Sequence, residues 1–454
     1  MMTRRTTNPL LRGLLLPLVL ALAACAAAPP ATTAPGDAGT DHLAWWRAFG
    51  SAELAALVAE AQAQNLDLAA AGARVRQAEA LARGADATLW PSVSLAADAS
   101  REGRWRGHAS AAGNAHAATL VARYEVDLWG GQGGLRDGAR AGLRASAFER
   151  DGVRLTITAG TVAAWLQSVG LRDRVAIAEL NLADAERLQA LVEARLRAGA
   201  AMPLELAQQR GIVAAQRRAL QLLQREADDS RVVLAAWLGR QAPTPPAAGS
   251  LDALRVPEID GRLPSDLLAR RPDVARAEAR LAAADADIAV ARAAMLPSLS
   301  LSGGVGTGGG RWRDLFESPL YTLAAGLAAP IFDAGKLASG RDLAVARHEE
   351  LLAGYRASIV AAFADAHAAL LAVDSLEAQR ATQAEQEKQA RQALAIAESR
   401  YRAGAETSLT LLDAQRTLYA TLDGGAQLQL ARLQASVGLY KALGGGWEAG
   451  AGGP

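Results

Sequence analysis

Five histidines, one cysteine and a scattering of carboxylates are the groups in this chain that could hold a metal or act on a substrate. A zinc-type site needs His and Cys ligands at short, regular spacings, so that one turn or helix face presents them together. His42, His108, His116, His348 and His367 have no such spacing with one another or with Cys25. The string Gly304-x-Gly306-x-x-Gly309 satisfies a dinucleotide fingerprint letter by letter. That fingerprint works only where a strand turns into a helix whose N-terminus meets a pyrophosphate. Here a polar loop and another strand follow, so the run reads as a flexible external loop between two strands. The sequence therefore assigns no catalytic residue, no metal and no cofactor, and the chain reads as something other than an enzyme.

Charge excludes a further class. The 454 residues carry 48 basic and 47 acidic side chains, a net charge of +1, which gives no electrostatic case for a nucleic-acid partner. Aromatics are only 4%, while Ala, Leu, Arg, Glu and Gln fill long stretches, the composition of long packed helices. A single cysteine excludes an intramolecular disulfide. Its setting is informative: Arg4 and Arg5 precede the short apolar run "LLRGLLLPLVLALAAC", which ends at Cys25. That run reads as a cleaved export signal. Leu22-Ala23-Ala24-Cys25 resembles the bacterial lipobox, which implies cleavage before Cys25 and its acylation. Ala26 rather than Asp follows, implying release to the outer membrane. Residues 1–24 are then signal peptide and 25–40 a lipidated tether.

Periodicity organises the rest. Helical spacing holds over 41–89, 135–197, 203–238, 264–296, 336–402 and from the Gly404 break to Leu443. Four stretches alternate instead with period two. Leu120, Ala122, Tyr124 and Val126 face one way and Thr119, Arg123 and Glu125 the other. The same holds for Val93, Leu95 and Ala97 against Ser92, Ser94 and Asp98. The order helix, strand, strand, helix, break, helix is written twice. "LWPSVSL" from Leu89 returns as "MLPSLSL" from Met295, and the Arg-x-Arg-Ala-Gly-Ala of 195–200 returns at 400–405. The first repeat spans 41–246, the second 247–446, and 447–454 is a tail.

A helix over 135–197 extends roughly 95 Å, too long for a compact domain to enclose, so the helices pair as hairpins with both Gly breaks at one distal end. After Cys25 no stretch of 18 uninterrupted apolar residues exists, so any membrane crossing is made by strands. Each strand is about ten residues long, a length suited to a tilted bilayer crossing. Trp90, Trp129 and Phe332 fall at the strand ends as an interface girdle. Four strands cannot close a barrel, and open edges are not tolerated in lipid, so the chain must be an oligomer.

The stretches "YEVDLWGG", "LLARRPDVARAEARLAAADADIAVARAAMLPSLSL", "APIFDAGK", "RYRAGAETSLTLLDAQRTLY" and "LYKALGGGW" resemble TolC-like outer membrane factors, of the lipoprotein branch serving RND efflux pumps. The resemblance runs from Trp45 to Trp447. It implies a mainly α protein with membrane β: a homotrimer whose twelve-stranded β-barrel, four strands per chain, continues into a long periplasmic α-helical barrel. It implies a passive exit duct for drugs or other small molecules, seated in outer membrane lipid. The partners implied are a periplasmic adaptor (membrane fusion) protein and an inner-membrane RND transporter. At the hairpin tips, Asp413 is similar to the family's acidic constriction ring and Leu409 to the apolar ring beside it. Tyr401 and Arg402 occupy positions that hold neighbouring hairpins together. For Asp413 the plain alternative is a solvated carboxylate pairing with Arg416, and for Tyr401 and Arg402 ordinary coil packing. Gln208 and Gln209 stand where Asp413 would fall in the first repeat, with Glu205 nearby. A protein-secretion duct and a non-conducting envelope scaffold are the competing functional readings.

Overall fold

The structure, a computed structural model, describes residues 41–103, 105–106, 113–243, 249–257, 267–312 and 317–447. Cys25, the signal and the tether lie outside them. Two helices, α1 (Ala52–Gln64) and α2 (Leu66–Ala87), lead into β1 (Ser92–Glu102) and β2 (Gly113–Val126). The hairpin of α3 (Gly131–Arg197) and α4 (Pro203–Trp237) follows. The second half repeats this with α5 (Pro272–Ala293), β3 (Ser298–Gly309), β4 (Pro319–Ala328), α6 (Lys336–Arg402) and α7 (Ser408–Ala442). The duplication is kept residue for residue. Helices α3 and α6 both have 67 residues, α4 and α7 both have 35, and α2 and α5 both have 22. At 1.5 Å per residue the longest pair reaches about 100 Å.

Each long helix is started by a carboxylate borrowed from the strand end. The N-cap residues, Gly130 and Gly335, have no side chain to offer and sit at φ +73 and +87. Asp127 accepts from the backbone N–H groups of Gln132 (3.0 Å) and Gly133 (2.7 Å) instead. Asp333 accepts from those of Gly335 (2.9 Å) and Leu337 (2.8 Å). Strand and helix are thus joined rigidly where the two architectures meet.

The four strands form one antiparallel sheet in the order β1-β2-β3-β4. Its register runs Leu95, Leu120, Val305 and Tyr321 along one row, and Ser92, Arg123, Ser302 and Ala324 along another. The alternation in sequence therefore becomes one apolar and one more polar face. Among the described residues nothing covers the apolar face: Leu95, Leu323 and Leu327 are all more than two-thirds exposed.

Three expectations are corrected. The glycine run 303–310 is not an external loop; it lies almost wholly in β3, paired with β2 through Gly309 and with β4 through Thr307. Glycine serves there because neighbours crowd in, a Cβ at Gly306 meeting Thr119 at 2.9 Å and one at Gly308 the His116 carbonyl at 3.0 Å. The helix expected over 41–89 is a 3-10 segment followed by two helices broken at Asn65, whose side chain caps α2 by accepting from Asp67 (2.9 Å) and Leu68 (3.3 Å). The helix expected from residue 264 starts at Pro272. Proline disfavours helical backbone in the residue before it, and Arg271 is extended at φ −112, ψ 117.

Midway along the helices lies the main core, with Trp45, Trp46, Phe49, Leu54, Val58, Trp165, Leu166 and Leu433. The same junction is built there twice. In the first half the Asn65 side chain donates to the Trp237 carbonyl (3.1 Å), and a Cβ on Gly239 would lie 2.9 Å from the Gln64 carbonyl. In the second half Arg271 donates to the Ala442 carbonyl (3.2 Å), and a Cβ on Gly444 would lie 1.8 Å from the Arg270 carbonyl. Arg271 also reaches Asp273 (2.8 Å) and Asp365 (3.0 Å). Burial pushes the Asp273 carboxyl up, but the bonds from Arg271 outweigh it and hold the group below its ordinary range. The "GGG" of 444–446 is thus a close backbone approach at left-handed φ.

Replacing Gly444 (φ +88) by Ala is therefore expected to cost more than about 3 kcal/mol, because strain and a backbone clash add. Gly404 has a similar φ of +73 but open space around it, so Gly404→Ala should cost only about 1–2 kcal/mol. Urea midpoints of the two variants, followed by circular dichroism, check the ranking; equal losses would refute the close approach.

Candidate functional site

The two helical hairpins turn at Gly199 and Gly404, with φ +72 and +73. Both turns close alike. The N–H of Ala200 donates to the Arg195 carbonyl (2.8 Å) and that of Ala405 to the Arg400 carbonyl (2.9 Å). This six-residue closure requires a left-handed residue, which glycine supplies without steric cost. The arginine then folds over its own turn: Arg195 donates to the Ala200 carbonyl at 3.1 Å and Arg400 to the Ala405 carbonyl at 3.5 Å. The recurrent Arg-x-Arg-Ala-Gly-Ala is thus the wiring of a sharp helical turn, used once per hairpin.

The tips pack against each other through a small apolar core of Leu188, Val192, Leu394, Ala397, Tyr401, Leu411 and Leu418. Tyr401 is its centre, only 1% exposed although it lies one turn from the hairpin end. Its hydroxyl donates to Glu205 at 2.8 Å, joining α6 to α4. The Arg195 guanidinium lies 4.4 Å from the ring centroid and also donates to the Tyr401 carbonyl. Three interactions of different physics meet on one side chain: apolar burial, a charged hydrogen bond and a cation over a ring. Burial first, then the hydrogen bond the hydroxyl donates to Glu205, pushes the phenol up to about 12.

The four tip residues singled out in the sequence fall in different places. Leu409 is 68% exposed, and Asp413, one turn further along α7, is exposed on the same stripe, since residues four apart share a helix face. Among the described residues Asp413 has no hydrogen-bond or ion-pair partner, so the local pair with Arg416 is absent. Tyr401 is in the core between hairpins. Arg402 pairs with Glu398 on its own helix, and it is Arg187, on α3, that crosses to the same carboxylate. Gln208 is exposed, whereas Gln209 is buried and donates to the Ala185 carbonyl at 3.0 Å, a packing role.

Sequence reading missed Arg195, Arg187 and Glu398 as cross-hairpin groups, and Arg174, which grips Asp423 with two bonds of 2.6 and 3.0 Å. The repeated arginine of the tip motif was the available signal for Arg195. Glu205 is placed by its second task at the start of α4, where it accepts from the Met202 N–H at 3.4 Å. The described residues hold no group of carboxylates, histidines and cysteines arranged for a metal.

An exposed stripe bearing an acid thus lies at the end of a pair of packed hairpins, about 100 Å from an open sheet with an apolar face. The model of the outer membrane efflux protein family matches residues 57–240 and 263–445. The pyoverdine export outer membrane protein OpmQ of Pseudomonas putida is 48% identical over 460 residues, covering 96% of this chain and 97% of its own. OpmQ of Pseudomonas aeruginosa is 44% identical over 420 residues, 90% of this chain and 89% of its own. A crystal structure of CusC superposes with a TM-score of 0.83 at 29% identity, covering 88% of this chain and 94% of its own. With a family segment on each half of the duplicated fold and relatives matched along nearly their whole length, this chain belongs to the outer membrane efflux protein family, as the outer membrane exit duct of an efflux system.

Proposed function

We propose that three copies of this chain close a twelve-stranded barrel and a continuous helical tunnel, the exit duct of a tripartite RND-type system that carries pyoverdine or a similar small secreted product. The observation that carries the reading is the sheet. Four strands with two unpaired edges and an uncovered apolar face are one-third of a closed lipid-facing wall. The cargo follows from the 48% identity to OpmQ, which is named for pyoverdine export. The duct consumes no energy itself. An inner-membrane transporter supplies it, and a periplasmic adaptor protein binds the tips and favours the open arrangement. Cys25 is the lipid anchor in this reading.

The gate is formed by the tips. Leu409 and Asp413 line the aperture as an apolar ring and an acidic ring. Tyr401, through Glu205, and Arg402, through the Glu398 it shares with Arg187, hold the hairpins closed. In single-channel recordings in a planar bilayer, Asp413→Ala is expected to lower cation preference by a few-fold, because lost carboxylates weaken the local negative potential. Unchanged selectivity would remove Asp413 from the aperture.

Tyr401→Phe keeps the ring but removes a hydroxyl–carboxylate bond worth about 1.5–3 kcal/mol, so openings should become more frequent. The phenol is raised from 10.0 to about 12 in the folded chain, so its protonated form is the favoured one. Its contribution is complete below pH about 10 and is lost as pH rises through about 12. Hydrogen exchange at residues 399–405, corrected for intrinsic rates, should show this alkaline loosening in the wild type and not in Tyr401→Phe. A phenylalanine variant that loosens identically would show that the hydroxyl does not latch the tips.

A further inference from the structure

The far end of the sheet carries a band whose chemistry departs from the apolar rows below it. Pairing of β1 with β2 puts Arg101, Asn114 and His116 on the face of Val93, Leu95 and Leu120, while Asp98, Ser100 and Glu102 point to the other face. The arginine and the carboxylate next to it are thus separated by the strand itself. Trp312, beyond β3, stacks on His116 with ring centroids 4.1 Å apart and planes at 27°. Its indole therefore lies on the lipid-facing side. Trp105 is 96% exposed and Trp312 67%. Arg101, Arg106 and Arg311 are exposed as well, and none has a carboxylate partner among the described residues. Among the described residues the exposed carboxylates at this end are Glu102, on the opposite face, and Glu317, ahead of β4.

The height of the band identifies what it meets. His116 stands ten residues along β2 from Val126, next to the periplasmic girdle where Trp129 donates to the Pro297 carbonyl at 2.7 Å. Ten residues at about 3.3 Å span roughly 33 Å along the strand, and a tilt near 40° leaves about 25 Å of height. That equals the apolar band of a membrane barrel. Arg101, His116 and Trp312 consequently emerge at the level of the outer-leaflet headgroups, not within the acyl chains. A guanidinium there has two ways to be satisfied, water or phosphate, and its planar fork suits phosphate oxygens. An indole at the same level suits the boundary between acyl chains and headgroup.

We propose that this band is a binding site for a phosphorylated, anionic glycolipid of the outer leaflet. Arg101, Arg106 and Arg311 take the phosphates, and Trp105 and Trp312 lie against the boundary between sugar and acyl chains. The site rests on the membrane-spanning reading of the sheet and, through it, recurs once per chain around the barrel rim.

The test is equilibrium binding of fluorescent diphosphoryl lipid A to the purified protein in neutral detergent, read by anisotropy, with phosphatidylcholine carrying the same fluorophore as the neutral comparison. Wild-type protein should prefer diphosphoryl lipid A. The triple variant Arg101→Gln, Arg106→Gln, Arg311→Gln should lose that preference at least tenfold while keeping its oligomeric mass and channel conductance, which separates failure of the rim from failure of the duct. The corresponding triple Lys variant retains charge and should keep most of the affinity. Equal affinity for the two lipids, or a Gln variant that binds as the wild type does, would overturn the proposal. Should the Gln variant not assemble, wild-type affinity is followed as salt rises from roughly 50 to 500 mM: a steep fall supports phosphate contacts, and a flat response overturns them.

Discussion

An unpaired backbone N–H or C=O cannot be left in hydrocarbon, and the sheet of this chain has two rows of them. Strands β1 and β4 each pair on one side only, and the apolar face across Leu95, Leu120, Val305 and Tyr321 is uncovered. A soluble protein would cover such a face with a helix; here every long helix leaves the sheet end-on through the Asp127 and Asp333 caps. In the proposed trimer, copies of the chain and lipid complete this open sheet. Helix α6 fits the same logic. Among the described helices it alone contains an 18-residue window apolar enough to cross a membrane, yet only 11% of that window is buried. That window sits in a long hairpin helix, and the single chain leaves most of its apolar surface open.

Duplication supplied the frame, and the two halves then diverged without losing registry. The junction at the middle of the helices makes this visible. In the first half Trp237 fills the space left by Gly160, a Cβ there meeting the indole at 2.5 Å. In the second half the corresponding residues are Ala442 and Asp365, and the buried guanidinium of Arg271 sits between them, bonded to both. One half fills the joint with an aromatic ring and a missing side chain, the other with an ion pair and a small residue. Neither pair can be exchanged singly. A lone Asp at 160 would strike the indole, and a lone Gly at 365 would strip one carboxylate from a buried cation.

Much of this was legible in sequence, for identifiable reasons. Repeats, long helices and alternating strands each leave a periodic trace, and the Gly199 and Gly404 breaks stand out because only glycine adopts that backbone cheaply. Less regular features were invisible. The break at Asn65 carries no proline or glycine and depends on a side chain capping the next helix. The glycines of β3 look like a loop because the reason for them, crowding by Thr119 and by the backbone at His116, lies on another strand. At the tips, Leu409 and Asp413 were singled out by the family resemblance, and both lie exposed on α7. No pattern within one helix could reveal that Tyr401 meets Glu205, 196 residues away.

That last contact has no counterpart in the reverse sense. By the offset of 205 that relates the tips, the counterparts of Tyr401 and Glu205 are Leu196 and Thr410. A contact of the reverse sense would pair a leucine with a threonine, with no charge and no phenol. The Tyr401 latch therefore runs in one direction only, from the second hairpin to the first within a chain. In the trimer proposed above, six tips would then meet at two alternating kinds of interface. One kind is closed inside each chain by Tyr401, Arg195 and Glu205; the other lies between chains and lacks that set. Opening that depends on Tyr401 is therefore a parting of the two hairpins of one chain, and each chain carries one such latch.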